Sequence, residues 1–157
     1  MQVSAMGIKL VMQAEGFRPR VYTDIAGFPS IGYGHRILHP DSFKNGVDQD
    51  LAHHMLSCDL DDAEAAVARL VKVPLHQGQF DALVDFTFNL GATRLEESTL
   101  LTDLNAGKYD EAAEQLLRWD HSGLKEIPGL KSRREAEYML WHFDPPNDPA
   151  QAQEVAA

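Results

Sequence analysis

Two acids and a hydroxyl stand out by type and spacing: Glu15, Asp24 and Ser30, with eight residues between the first two and five between the last two. One carboxyl that donates a proton, paired with one that activates water, can cleave a glycosidic bond. Glu15 closes an amphipathic segment, where the negative end of the helix dipole disfavours its ionised form by about 0.3–1 kcal/mol. Desolvation in a cleft would act in the same direction, and a carboxylic acid kept protonated near neutrality suits a general acid. Taken alone, Glu15 reads more readily as a solvated surface residue, and Asp24 as an ordinary turn residue before Ala26-Gly27. Facing carboxyls about 6.5–9.5 Å apart leave room for water and give inversion, whereas about 5 Å gives retention. Chain spacing does not choose between them. Ser30 could hold the attacking water or stand simply as a strand serine.

The elements that must position these groups follow from periodicity. Met6, Ile8, Leu10, Val11, Met12 and Ala14 predict a helix over 4–15, with Ser4 as N-cap and Gly16 as stop. From 17 to 36 the pattern becomes β-prone, with Val21-Tyr22, a turn at Ala26-Gly27, and a second strand from Phe28 to Tyr33. Such a hairpin is too small to stand alone and must lean on helices. A polar loop spans 39–47. Asp48 then caps a long helix that Pro74 terminates, long enough to bridge two lobes. An unusually apolar helix over 76–90 reads as the core helix. Helices follow over 96–105, possible caps being Glu97-Ser98, then over 109–119 and, after a Gly/Pro-containing loop at 122–129, over 130–143. Residues 144–157 are expected to be a disordered tail. The order is a helix, a small β-element and five helices, an α+β, mainly helical fold with a minor antiparallel β-lobe.

Bulk properties narrow the function. The chain has 157 residues, the size of one domain, and carries a net charge of −10. That charge argues against non-specific binding to nucleic acid or anionic membranes. With a single cysteine, Cys58, no internal disulfide can form. No apolar run approaches the roughly 20 residues of a membrane helix, so membrane insertion is not expected. The N-terminus lacks a basic start and a small-residue cleavage site, so no signal peptide is read. His53-His54 with Cys58 lacks a closing ligand pair for a metal, and Asp59, Asp61, Asp62 and Glu64 form an acidic helix face without the glycine of a calcium loop.

Several ordered motifs carry a resemblance. Glu15-Gly16-Phe17-Arg18, Tyr22, Asp24, Gly27 and Ser30-Ile31-Gly32-Tyr33-Gly34-His35 resemble the active-site segment of the phage-type, T4-like lysozymes, a group of glycoside hydrolases. Glu15, Asp24 and Ser30 match that family's Glu, Asp and Thr in register, with Ser where Thr is usual. Serine keeps the hydroxyl and loses the methyl that restrains χ1, so activity is expected to be retained. Val73-Pro74-Leu75, Gln77, Gln79-Phe80-Asp81-Ala82-Leu83 and Phe88-Asn89-Leu90-Gly91 are similar to the family's central helix. Ser98-Thr99-Leu100-Leu101 with Leu104-Asn105, Gly107 and Tyr109 resembles the next segment. Gly129-Leu130, Arg133-Arg134 and Glu137 resemble its closing helix. The likeness spans residues 6–143.

The resemblance implies a single lysozyme-like domain over 1–143, with a small β-lobe about 16–47, a helical lobe about 60–143 plus the N-terminal helix, and a cleft between. It implies hydrolysis, with inversion and no cofactor, of the β-1,4 bond between N-acetylmuramic acid and N-acetylglucosamine in bacterial peptidoglycan. Glu15 would be the acid, and Asp24 with Ser30 would position the water. Phe88, Ser98 and Gln115 would be substrate-cleft residues. Arg36 stands where the best-known member has Leu. His35 would pair structurally with an acid. Arg133-Arg134 could approach Glu15, opposing the dipole, or reach the peptide stem. The chain would act as a monomer, held in the host cytoplasm until a holin-type pore released it to the wall. Two rivals remain: a lytic transglycosylase on the same bond, or a catalytically weakened lysozyme-like peptidoglycan-binding module.

Overall fold

The computed structural model describes residues 1–143 except Ile25. The segment expected to be disordered, 144–157, lies outside the described residues. Helix α1 (Ala5–Glu15) is capped at Ser4, whose side chain accepts from the Gly7 N–H, and it stops where Gly16 turns to φ 71°. Ser4 is itself anchored, because its N–H donates to Asp81 Oδ1 at 2.9 Å and its hydroxyl bonds Asp81 Oδ2. Asp81 is buried in the core helix, so the start of α1 is fixed to the centre of the molecule.

Three antiparallel strands follow: β1 (Arg18–Thr23), β2 (Pro29–Gly32) and β3 (His35–Arg36), in spatial order β1-β2-β3. Tyr22 pairs with Ser30, Ser30 with Arg36, and Ile31 with His35. Cross-strand partners share a face and neighbours along a strand alternate. Tyr22, Ser30 and Arg36 therefore form one row, and Ile31 and His35 lie on the other side. That second side meets α2 (Gln49–Leu70). His35 Nδ1 lies 2.8 Å from Asp59 Oδ2, the structural pairing expected of it.

Helix α2 starts at its Asp48 cap, whose side chain accepts from the Leu51 N–H, and it packs on β2, β3 and the core helix α3 (Gln77–Leu90). Every residue of α3 from Gly78 to Thr87 is buried, because α1, α2, α4 (Ala92–Glu96) and α7 (Pro128–Trp141) surround it. Its start is fixed by a capping box between His76 and Gln79. Gly78 is required there: a Cβ would come within 2.2 Å of the carbonyl oxygens of Leu140 in α7 and of Phe143 just past its end.

Beyond α3 the structure departs from expectation in two places. The helix expected over 96–105 is α5 (Thr99–Asn105), and an unexpected short helix, α4 (Ala92–Glu96), precedes it, so six α-helices rather than five follow the sheet among the described residues. The break between them is at Ser98, whose extended backbone ends one helix while its hydroxyl caps the next. Helix α6 (Tyr109–Leu116) comes next. The expected loop at 122–129 holds a small hairpin, β4 (His121–Ser122) and β5 (Lys125–Glu126), and α7 (Pro128–Trp141) begins at its N1 proline. Among the described residues no helix is long and apolar enough to cross a membrane.

Candidate active site

Glu15 is the last residue of α1, and the Gly16 stop releases the chain into β1. Its Oε1 accepts from Arg133 Nη1 of α7 at 2.8 Å. Its Oε2 lies against the backbone of Gly34, where an added Cβ would sit 3.3 Å from that oxygen and where φ is 81°. Gly34 is thus the point at which the β2–β3 turn can pass the acid. One oxygen of Glu15 faces the helical body and the other faces the sheet.

Asp24 follows β1. Its Oδ1 accepts from the Ala26 N–H at 2.9 Å and the Phe28 N–H at 2.8 Å, so the turn's own amides hold it. Its Oδ2 is 3.8 Å from Arg36 Nη2. Arg36 in turn lies over the Phe28 ring, 3.8 Å from the centroid. Ser30, 1% exposed, sits in the row between Tyr22 and Arg36. Tyr22 feels the charge of both acids. Partial burial raises its phenol above the usual range; Arg18, stacked 4.5 Å over the ring, opposes this, and the negative charges of both Glu15 and Asp24 add to it. The phenol therefore lies within the field of both carboxyls.

The other expected cleft residues are placed differently from one another. Phe88 is half-buried near the end of α3, packed on the core beside Asn89. Gln115 is half-buried on α6, which packs against α7. Ser98 is 3% exposed; its hydroxyl donates to the Leu95 carbonyl at 2.6 Å and accepts from the Leu101 N–H at 3.0 Å. Both roles of that hydroxyl are taken up by the α4–α5 joint.

Beneath Glu15 lies an ionic layer that sequence reading saw only in part. Arg133 Nε and Nη2 donate to Asp85 Oδ2 and Oδ1 at 2.9 and 2.7 Å. Burial acts to lower the Arg133 pKa, but the hydrogen bonds and charge of Asp85, with those of Glu15, outweigh it and hold the guanidinium charged. Arg134 Nη2 donates to Asn89 Oδ1 at 2.9 Å and lies 2.8 Å from Glu137 Oε1. Burial pushes Arg134 down, against the pull of Glu137 and Asp85. Glu137 is pushed well up, by burial first and then by its hydrogen bond to Asp85. Arg133, Arg134 and Glu137 stood in the quoted motif, but Asp85 did not. The signal for Asp85 was present: it is an acid between Val84 and Phe86 in a helix otherwise read as core.

A helical body that delivers one carboxyl to a small sheet beside a second is the architecture of the lysozyme-like hydrolases. A family model described as phage lysozyme matches residues 12–137. The endolysin of Bacillus phage B103 is 39% identical over 145 residues, covering 90% of this chain and 54% of that protein. The endolysin of Salmonella phage P22 is 37% identical over 144 residues, covering 90% of this chain and 98% of that one. The solved muramidase domain of SpmX from Asticaccaulis excentricus superposes with a TM-score of 0.83 at 33% identity, covering 90% of this chain and 98% of the domain. The chain thus spans about half the length of the B103 relative and nearly all of the other two. The chain belongs to the phage lysozyme family.

Proposed function

We propose that this chain is an endolysin that hydrolyses the β-1,4 bond between N-acetylmuramic acid and N-acetylglucosamine, with inversion at the anomeric carbon. As a phage lysozyme it is a peptidoglycan-degrading glycoside hydrolase. The observation that carries the reading is the divided environment of Glu15: Arg133 takes Oε1, and Oε2 faces the sheet beside Gly34. Oε2 delivers the proton to the leaving oxygen. Asp24 is divided in the same way, because two amides occupy Oδ1 and leave Oδ2 to take a proton from the attacking water. The Ser30 hydroxyl, held in the strand row beside it, orients that water. The scheme consumes one water and needs two carboxyls and one hydroxyl, with no cofactor.

Phe88 and Gln115 keep part of their surface free for the glycan, and Ser98 supports that wall by capping α5. The chain works as a monomer. Peptidoglycan lies outside the cytoplasmic membrane, so a holin-type pore releases the enzyme from the host cytoplasm to the wall. The test is clearing of purified cell walls. The parent lowers turbidity, and Glu15→Gln slows clearing by about 10²–10⁴-fold with the fold retained. Equal clearing by the two would overturn the acid assignment. Anhydro-sugar ends among the products would replace hydrolysis with the transglycosylase reading.

A further inference from the structure

The guanidinium of Arg133 is a planar fork, and whatever binds one edge fixes the direction of the other. Asp85 takes the Nε–Nη2 edge with both oxygens, at 2.9 and 2.7 Å, which leaves Nη1 pointing outward. The group it meets is Glu15 Oε1, at 2.8 Å. The Arg133 side chain is 6% exposed and that of Asp85 1%, whereas that of Glu15 is 26%. The buried pair is therefore the fixed partner and the acid the one being oriented. Asp85 has a neighbour of its own in Glu137, which is fully buried on α7. Neither oxygen of Glu137 meets an aligned donor among the described residues, although Arg134 Nη2 is 2.8 Å from Oε1. Two neighbouring carboxyls can hydrogen-bond only when one is protonated. Burial and the bond to Asp85 both favour the protonated form of Glu137. Once protonated, Glu137 can donate to Asp85 and so help set the direction of that carboxylate toward Arg133.

We propose that Asp85 and Glu137 are positioning residues of the active site, acting through Arg133 to hold the Glu15 carboxyl with Oε2 toward the bond to be cut. Neither touches the glycan. The inference rests on Glu15 being the acid, so the experiment separates the two. In Asp85→Asn the carboxylate edge is lost: one amide N–H opposes the Arg133 donors, and Nη1 is no longer directed. A displacement of the acid on the order of 1 Å costs about 100-fold. Asp85→Asn is therefore expected to lower kcat on solubilised glycan by about 10–100-fold with KM within about twofold. Glu137→Gln keeps an N–H donor for Asp85, and kcat stays within about threefold of the parent. Glu137→Ala removes the donor and falls with Asp85→Asn.

The decisive variant is the double one. If Asp85 acts through Glu15, then Asp85→Asn added to Glu15→Gln slows the enzyme no further than Glu15→Gln alone. A further full loss in the double variant would overturn the proposal while leaving Glu15 as the acid. So would an Asp85→Asn enzyme with parental kcat and an intact circular dichroism spectrum. Should Asp85→Asn fold too weakly to assay, Asp85→Glu moves the carboxylate by one methylene and is expected to lower kcat with KM unchanged; parental kcat there also overturns the proposal. If Glu15→Gln itself cleared walls as fast as the parent, the functional reading would fail before this one was reached.

Discussion

The charges of Glu15 and Asp24 both act on the Tyr22 phenol, yet the chain restrains the two acids over very different distances. The partner of Glu15 is Arg133, 118 residues away, seated on a buried ionic layer. The partners of Asp24 are the amides two and four residues ahead of it, in its own exposed turn. Glu15 is positioned by the packing of three helices, α1, α3 and α7, and Asp24 by local turn geometry. The two side chains are about equally exposed, at 26% and 24%, so the difference lies in restraint and not in burial, and a proton donor that must meet a developing charge gains from being held by distant, packed groups. The contrast in restraint matches the contrast in proposed role.

Arg133 gives the hardest blow to the buried half. Arg133→Met leaves Asp85 buried without its cation, and about 3–5 kcal/mol of stability should be lost in urea unfolding, together with wall clearing. A loss below 1 kcal/mol would mean that the layer is not what holds α7 to α3. The exposed half should behave in the opposite way. Asp24→Asn keeps Oδ1 for the two turn amides, so stability changes by less than about 1 kcal/mol while clearing slows by about 10²–10⁴-fold.

The pH dependence of stability sharpens the contrast further. Glu137 faces Asp85 from α3 and Arg133 and Arg134 from its own helix, and its folded pKa lies well above the ordinary 4.5. The folded state therefore binds more protons than the unfolded one between about pH 4.5 and the raised value. Glu137 makes stability fall as pH rises through that window, by at most about 1.4 kcal/mol per pH unit, with no further loss above it. Urea midpoints measured from pH 4.5 to 8 should show a shallower decline in Glu137→Gln than in the parent; identical slopes would place the titration elsewhere. Arg36→Ala is expected to have the smallest effect. Arg36 is more than half exposed and 3.8 Å from Asp24, so its removal should change the urea unfolding free energy by less than about 1 kcal/mol.

Much of the local half was legible in the chain itself. Ser4, Gly16 and Asp48 act within one turn of their own position, so their capping and stopping roles follow from residue type. The Asp24 turn is of the same kind. Helix α4 was harder to read, because five residues are too few to show a helical period. The small hairpin at 121–126 was hidden because two-residue strands carry no periodicity. Arg133 was flagged by its motif, but its contact with Glu15 spans the domain, and no spacing rule links positions so far apart.

The sequence by itself determined the order of the main elements, short of α4 and the 121–126 hairpin, the register of Glu15, Asp24 and Ser30, and the family, since each is written in residue type and short spacing. Only the tertiary structure decided which oxygen of each acid is occupied, and that Asp85 and Glu137 lie beneath the site. Those outcomes depend on burial. A carboxyl's charge state and direction are set by the dielectric and the donors around it, and α1, α3 and α7 create that surrounding only when they meet.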